Sequence, residues 1–207
     1  MIKQIEPWID DAEVKEVVGV VSSAWITEGP KTREFEFLMK ELTKAKHVTA
    51  YVNGTLALYA SLLALGIKPG DEVLVPDLTF IASANAVIMA GARPVFVDVD
   101  RKTFGIDVEK AKEKVTAQTK AIMPVHLYGQ CADVDKVLPF ARMQGLAVIE
   151  DAAQAVGVKF NGRHAGTFGE IGMRTDNNVF QWRNAACRGH PAGGDGGRHQ
   201  MVVDHLS

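Results

Sequence analysis

Cysteine is nearly missing from this chain: 207 residues hold two, Cys131 and Cys187. They share no close spacing, so the sequence offers neither a disulfide framework nor a Cys-based metal motif. A reducing compartment, the cytoplasm, is the expectation. Long apolar runs are missing too. None approaches the roughly 20 residues that cross a bilayer, and residues 1–7 lack the apolar centre of a signal peptide, which sets membrane and secreted readings aside. Neither sign of charge is in excess. The net value is −2, from 23 Lys+Arg against 25 Asp+Glu, which argues against the basic face that broad nucleic-acid binding needs. There is no G-x-G-x-x-G or Walker loop and no serine in a nucleophile elbow. Cys131, His126 and His164 match no metal-ligand spacing.

What is present is ordinary globular material, 47% hydrophobic and 23% charged, in a chain long enough to bury a substantial core. Its composition breaks near residue 172. Before that point stand 14 Lys and 5 Arg; residues 173–207 hold no Lys, 4 Arg and three of the six His. This last segment, with Gly193-Gly194-Asp195-Gly196-Gly197, has neither helical nor strand periodicity. It reads either as a flexible functional tail or as a stretch foreign to the fold, such as a frame-shifted end.

Residues 1–172 are patterned. Apolar positions at Val14, Val17, Val18 and Val21 after Asp10-Asp11 predict a helix with an acidic start, and Phe35, Leu38 and Leu42 mark a second. Residues 51–55 lead into a helix that is apolar almost all round, hence buried, and ended by Gly66. Strands over 72–75, 94–99, 121–126 and 146–150 then alternate with helices over 82–90, 107–115 and 133–143. That alternation predicts βαβ units: an α/β fold with a mostly parallel central sheet and helices on both faces. A hairpin about Asn161-Gly162 follows.

In open α/β sheets ligands sit beyond the carboxyl ends of the strands. Asn53-Gly54-Thr55 opens the buried helix with a close-approach glycine, a hydroxyl and free N–H groups, which suits a phosphate or is a plain helix cap. Phe80, after Thr79 at a strand end, either stacks on a flat ring or belongs to the core. His126 ends another strand and either touches a ligand or bonds backbone. Glu150-Asp151-Ala152-Ala153-Gln154 closes an apolar strand with two acids, and a turn of helix would bring Asp151 and Gln154 to one face. A buried Asp151 needs a cation or hydrogen bonds; a protonated ring nitrogen would serve, and structural capping is the other reading.

Taken in order, Ile26-Thr27-Glu28-Gly29-Pro30, Asn53-Gly54-Thr55-Leu56-Ala57-Leu58, Pro69-Gly70-Asp71-Glu72-Val73, Thr79-Phe80, Pro94-Val95-Phe96-Val97-Asp98-Val99, Pro124-Val125-His126-Leu127-Tyr128-Gly129-Gln130, Glu150-Asp151-Ala152-Ala153-Gln154 and Gly166-Thr167-Phe168-Gly169 resemble the DegT/DnrJ/EryC1/StrS aminotransferases. These are pyridoxal-phosphate enzymes that aminate nucleotide-linked keto-sugars in amino-sugar and surface polysaccharide biosynthesis. The resemblance spans residues 1–172, and its Asn-Gly-Thr and His-Leu-Tyr-Gly-Gln stretches look most like GDP-perosamine synthases. It implies a fold-type I large domain followed by a smaller C-terminal domain. It implies pyridoxal 5′-phosphate as cofactor, a nucleotide-sugar substrate, glutamate as amino-acid donor, and a homodimer to which the N-terminal helices and residues 25–30 contribute. The implied roles are Gly54 and Thr55 at the cofactor phosphate, Phe80 stacked on the pyridine ring, Asp151 at the ring nitrogen and Gln154 at the phenolic oxygen, with Thr27 and His126 as candidates on the substrate side.

The pattern then departs. Where the family continues with a Ser-Phe stretch, a Schiff-base lysine and a Gly-rich segment, this chain reads Met173-Arg174-Thr175-Asp176, and its last lysine is Lys159. The phosphate-binding Ser and the small domain have no counterpart either. A truncated chain, inactive as written, is the expectation. The alternatives are a non-catalytic binder of pyridoxal phosphate or nucleotide-sugar, and a sugar dehydratase of the same fold with His190 or His199 in the lysine's place.

Overall fold

The structure, a computed structural model, describes residues 9–174 and the backbone of Val179–Trp182. The chain opens with α1 (Asp11–Ser22) and α2 (Pro30–Thr43). Asp10 Oδ1 accepts from the Ala12 N–H at 2.8 Å while Glu13 Oε2 accepts from the Asp10 N–H at 2.8 Å, a reciprocal cap that fixes the start of α1. Pro30 presets φ in the first turn of α2, and Lys44, left-handed at φ 58, ends it. β1 (His47–Ala50) and α3 (Gly54–Ala64) follow. The alternation is then β2 (Glu72–Pro76), α4 (Ala82–Met89), β3 (Arg93–Val97), α5 (Val108–Lys112), β4 (Thr119–Ile122), α6 (Val134–Gln144) and β5 (Ala147–Asp151). A hairpin of β6 (Lys159–Phe160) and β7 (Arg163–His164) precedes β8 (Ile171–Arg174) and β9 (Val179–Trp182).

The main sheet has the order β1-β9-β8-β5-β4-β2-β3. β3, β2, β4, β5 and β8 pair in parallel, and β9 runs antiparallel to both of its neighbours, so the mostly parallel α/β sheet is present as expected. α3 and α4 cover one face, where Ala57, Leu58, Leu62 and Val87 pack on Val73, Val75, Ile149, Ile171 and Met173. α5 and α6 cover the other, with Val108, Ala111, Val137 and Phe140 on Leu74, Ile122 and Val148. The strand period of two therefore sends Ile149 and Asp151 to the α3/α4 face, and Val148 and Glu150 to the opposite face.

Two features stand outside the sequence reading. β1 is only four residues of half-exposed strand, too short a pattern to stand out. The compositional break at residue 172 falls inside β8, and β9 lies beyond it. Gly172 is required where β8 passes the Gly166 turn, because a Cβ there would run into the Gly166 carbonyl. Among the described residues no helix is long and apolar enough to cross a membrane. His190, His199 and the Gly193–197 stretch lie outside the described residues.

Candidate cofactor-binding site

Asp151 ends β5 and is buried on the α3/α4 face. Its Oδ2 accepts from Ser83 Oγ at 2.7 Å and its Oδ1 from the Ala153 N–H at 3.1 Å. Ser83, itself buried in the first turn of α4, lies 2.7 Å from Thr79 Oγ1. No lysine or arginine forms an ion pair with Asp151 among the described residues. Burial pushes its pKa up, against the pull of the Ser83 hydroxyl and the Ala153 N–H.

Phe80, the start of α3 and Gln154 each follow the carboxyl end of a strand of the main sheet, β2, β1 and β5. Phe80 follows β2 and is 66% exposed, so it is not a core residue and its ring is open to a partner. α3 packs on α4, β5 and β8. Asn53 Oδ1 caps α3 by accepting from the Leu56 N–H at 2.9 Å. That leaves the N–H groups of Gly54 and Thr55 without a protein acceptor among the described residues, at the positive end of the helix dipole. Gln154 Oε1 accepts from the Tyr128 N–H at 3.2 Å and its carbonyl accepts from the Gly129 N–H at 2.9 Å. With its oxygen so occupied, Gln154 Nε2 is the group left to donate outward. The set fits pyridoxal 5′-phosphate: a buried carboxylate that lacks a cation, a helix start that takes a phosphate, an open aromatic face, and an amide donor.

Of the two substrate-side candidates, His126 joins Asp151 through backbone alone, its N–H donating to the Asp151 carbonyl at 2.9 Å. His126 has no exposed surface. Its Nε2 lies 2.8 Å from Glu150 Oε2, and its Nδ1 accepts from the Ala132 N–H at 2.9 Å. Burial, the largest influence, disfavours the imidazolium, while Cys131 and Glu150 favour it toward a pKa of about 9. The Ala132 N–H aimed at Nδ1 decides the matter, because a cation would set two N–H groups against each other. The ring is neutral, with its proton on Nε2 toward Glu150. Its surroundings are the alternative left open by the sequence, bonds to backbone and protein, rather than contact with substrate. Thr27 is exposed in the linker between α1 and α2, and the structure does not bring it to the Asp151 group.

Sequence reasoning missed Ser83 and the task of Glu150. The signal for Ser83 was a lone hydroxyl on a helix face otherwise built of Ala82, Ala84, Ala86 and Val87. Glu150 is fully buried and accepts from Gly166 N at 2.8 Å, Phe168 N at 2.5 Å and Gly169 N at 2.5 Å besides His126, which sews the loop before β8 to the back of β5. Arg174 is buried at the end of β8: Nη2 donates to the Ala165 carbonyl, while Nε and Nη1 have no partner among the described residues. Burial, only partly offset by Glu150, pulls its pKa down to about 10.

Known proteins resemble this chain over most of its length. GDP-perosamine synthase of Caulobacter vibrioides is 48% identical over 165 residues, covering 79% of this chain and 44% of that protein. The spore coat polysaccharide biosynthesis protein SpsC of Bacillus subtilis is 43% identical over 164 residues, covering 79% of this chain and 42% of its own length. The chain thus spans less than half the length of these relatives. Among solved structures, an aminotransferase from Psychrobacter cryohalolentis superposes with a TM-score of 0.82 at 36% identity, over 86% of this chain and 49% of that one. The Streptococcus pneumoniae protein Spr1654, solved in a PLP form, gives 0.82 at 29% identity over 87% and 52%. The profile of one family matches residues 7–174, from the residues ahead of α1 to the end of β8, and the chain belongs to that family, the DegT/DnrJ/EryC1/StrS aminotransferases.

Proposed function

We propose that this chain carries the cofactor-binding part of a pyridoxal-phosphate-dependent aminotransferase that acts on a nucleotide-linked keto-sugar, with glutamate as amino donor, in cytoplasmic synthesis of precursors for surface polysaccharide. The observation that carries the reading is Asp151: a buried carboxylate at the carboxyl edge of a parallel sheet, held by two donors and, among the described residues, no cation. When bound, the cofactor supplies an electron sink for the carbanion left by proton removal. The chain's residues serve that chemistry by binding and orienting. Ionised Asp151 holds a proton on the ring nitrogen, Phe80 covers a ring face and excludes water, Gly54 and Thr55 receive the phosphate, and Gln154 Nε2 donates to the phenolic oxygen. GDP-perosamine synthases among the relatives favour a GDP-linked sugar.

One observation refines the reading for the chain as written. Residues 160–207 hold no lysine, where the resemblance implies the Schiff-base lysine, and we propose that the cofactor is held here without a covalent bond and that turnover is absent. Titration of the full chain with pyridoxal 5′-phosphate, followed by absorbance and fluorescence, should show saturable binding at one site per chain. Asp151→Asn should weaken it about 10-fold or more, and incubation with glutamate and GDP- or UDP-linked keto-sugars should give no turnover near the ~1 per second of ordinary enzymes. No saturable binding would overturn the cofactor reading; turnover at an ordinary rate would overturn the non-covalent one.

A further inference from the structure

We infer that Ser83, backed by Thr79, is a positioning residue for Asp151: two hydroxyls in series keep this carboxylate ionised and fixed in orientation for a protonated ring nitrogen. The inference rests on the cofactor reading above. The direction of the chain of bonds follows from chemistry. A carboxylate only accepts, so Ser83 must spend its single proton on Asp151 Oδ2 at 2.7 Å. The Thr79 hydroxyl, 2.7 Å from Ser83 Oγ, must then donate to it. Two hydroxyls aligned toward one anion polarise each other and strengthen the terminal bond.

The placement of Ser83 argues that this bond is its purpose. Ser83 stands in the first turn of α4 with no helical turn behind it to take its proton, whereas Ser61, deep in α3, donates to Ala57 O one turn back at 2.7 Å. Ser83 instead reaches a carboxylate 68 residues away in sequence, from a helix face that is otherwise alanine and valine. With Ser83 on Oδ2 and the Ala153 N–H on Oδ1, α4 and the turn after β5 each hold one oxygen. The plane of the carboxylate is thereby set by two separate elements. Burial works against ionisation and the Ser83 hydroxyl is the leading influence opposing it.

The test uses the full chain and two probes that need no lysine: pyridoxamine 5′-phosphate, and its 1-deaza analogue, which carries carbon in place of the ring nitrogen. The analogue has the same phosphate, so comparison cancels phosphate titration. The parent chain should bind the natural amine more tightly than the analogue at pH 7 and lose that preference on acidification. Ser83→Ala should lower affinity for pyridoxamine phosphate about 10-fold, leave the analogue unchanged, and move the pH at which the preference disappears upward. Ser83→Thr, which keeps the hydroxyl, should bind like the parent. Thr79→Val should shift both readings in the same direction by a smaller factor. Equal binding of pyridoxamine phosphate by Ser83→Ala and parent overturns this inference alone, as does an equal loss for both probes, which would mark Ser83 as merely structural. A parent chain that binds neither probe overturns the cofactor reading and this assignment with it.

Discussion

Glu150 and Asp151 are adjacent acids with opposite surroundings, and substitutions should separate them. Glu150 is met by four donors, His126 Nε2 and three backbone N–H groups. In Glu150→Gln an amide NH₂ must face two of those donors, so a cost of about 3 kcal/mol in urea unfolding is expected; a change under about 1 kcal/mol would contradict the pattern. Arg174 presents the reverse situation. Its buried Nε and Nη1 are unpartnered among the described residues, so Arg174→Met, which keeps the stem and drops the charge, should stabilise the chain by about 1–3 kcal/mol, read as a rise in Tm. Asp151, Gln154 and Phe80 stand out in the sequence as candidates because acids, an amide and an aromatic at strand ends are unusual by type and place. It could not show that Ser83 serves Asp151 or that His126 turns inward to Glu150, since those partners are 68 and 24 residues away and only the fold joins them.

The helices at the start of the chain are the least integrated elements. α1 has no buried residue, and Val14, Val17, Val18 and Val21 stand 54–63% exposed along it, next to Trp25 and Ile26. Such a stripe in water asks for a cover, and the surface ion pair of Lys31 with Glu16 gives little toward holding α1. A second copy of this chain is the proposed cover: light scattering should report a dimer, and Val17→Asp with Val21→Asp should give a monomer that keeps its core secondary structure. A parent chain that scatters as a monomer would contradict this. At the other end of the fold, Gly172→Ala should prevent β8 from seating beside the Gly166 turn, seen as loss of cooperative unfolding. Long, strongly periodic elements were legible: α1, α2, α3 and the β2-to-β5 alternation all stand near the positions their patterns predict. β1 and β9 were not. Each is four residues long; β1 takes its place from hydrogen bonds to β9, remote in sequence, and β9 from those bonds and from its antiparallel pairing with the preceding strand β8, rather than from its own periodicity.

For the molecule as a whole, the buried Asp151 carboxylate is a source of instability. The folded state holds the Asp151 proton more tightly than the unfolded chain does, so this group disfavours folding once pH rises above the ordinary Asp value, about 4. Asp151→Asn should therefore melt higher than the parent at pH 7, with the gap closing as pH falls toward 4; equal Tm values at both pH values would contradict the sign. The substitution is sterically tolerable, since an amide can donate to Ser83 while the Ser83 proton turns to Thr79. The alternation of the two acids along β5 has a consequence for how the chain finds its fold. A parallel strand of five residues, apolar for most of its length, carries few marks to tell one alignment from the next. A slip by a single residue would turn Glu150 toward α4 and Asp151 toward the Gly166–Gly169 loop, stranding four donors and crowding a longer acid against the Ser83 hydroxyl. The pair thus works as a proofreading mark in assembly: the alignment that satisfies the loop is the one that presents the shorter acid to the cofactor side.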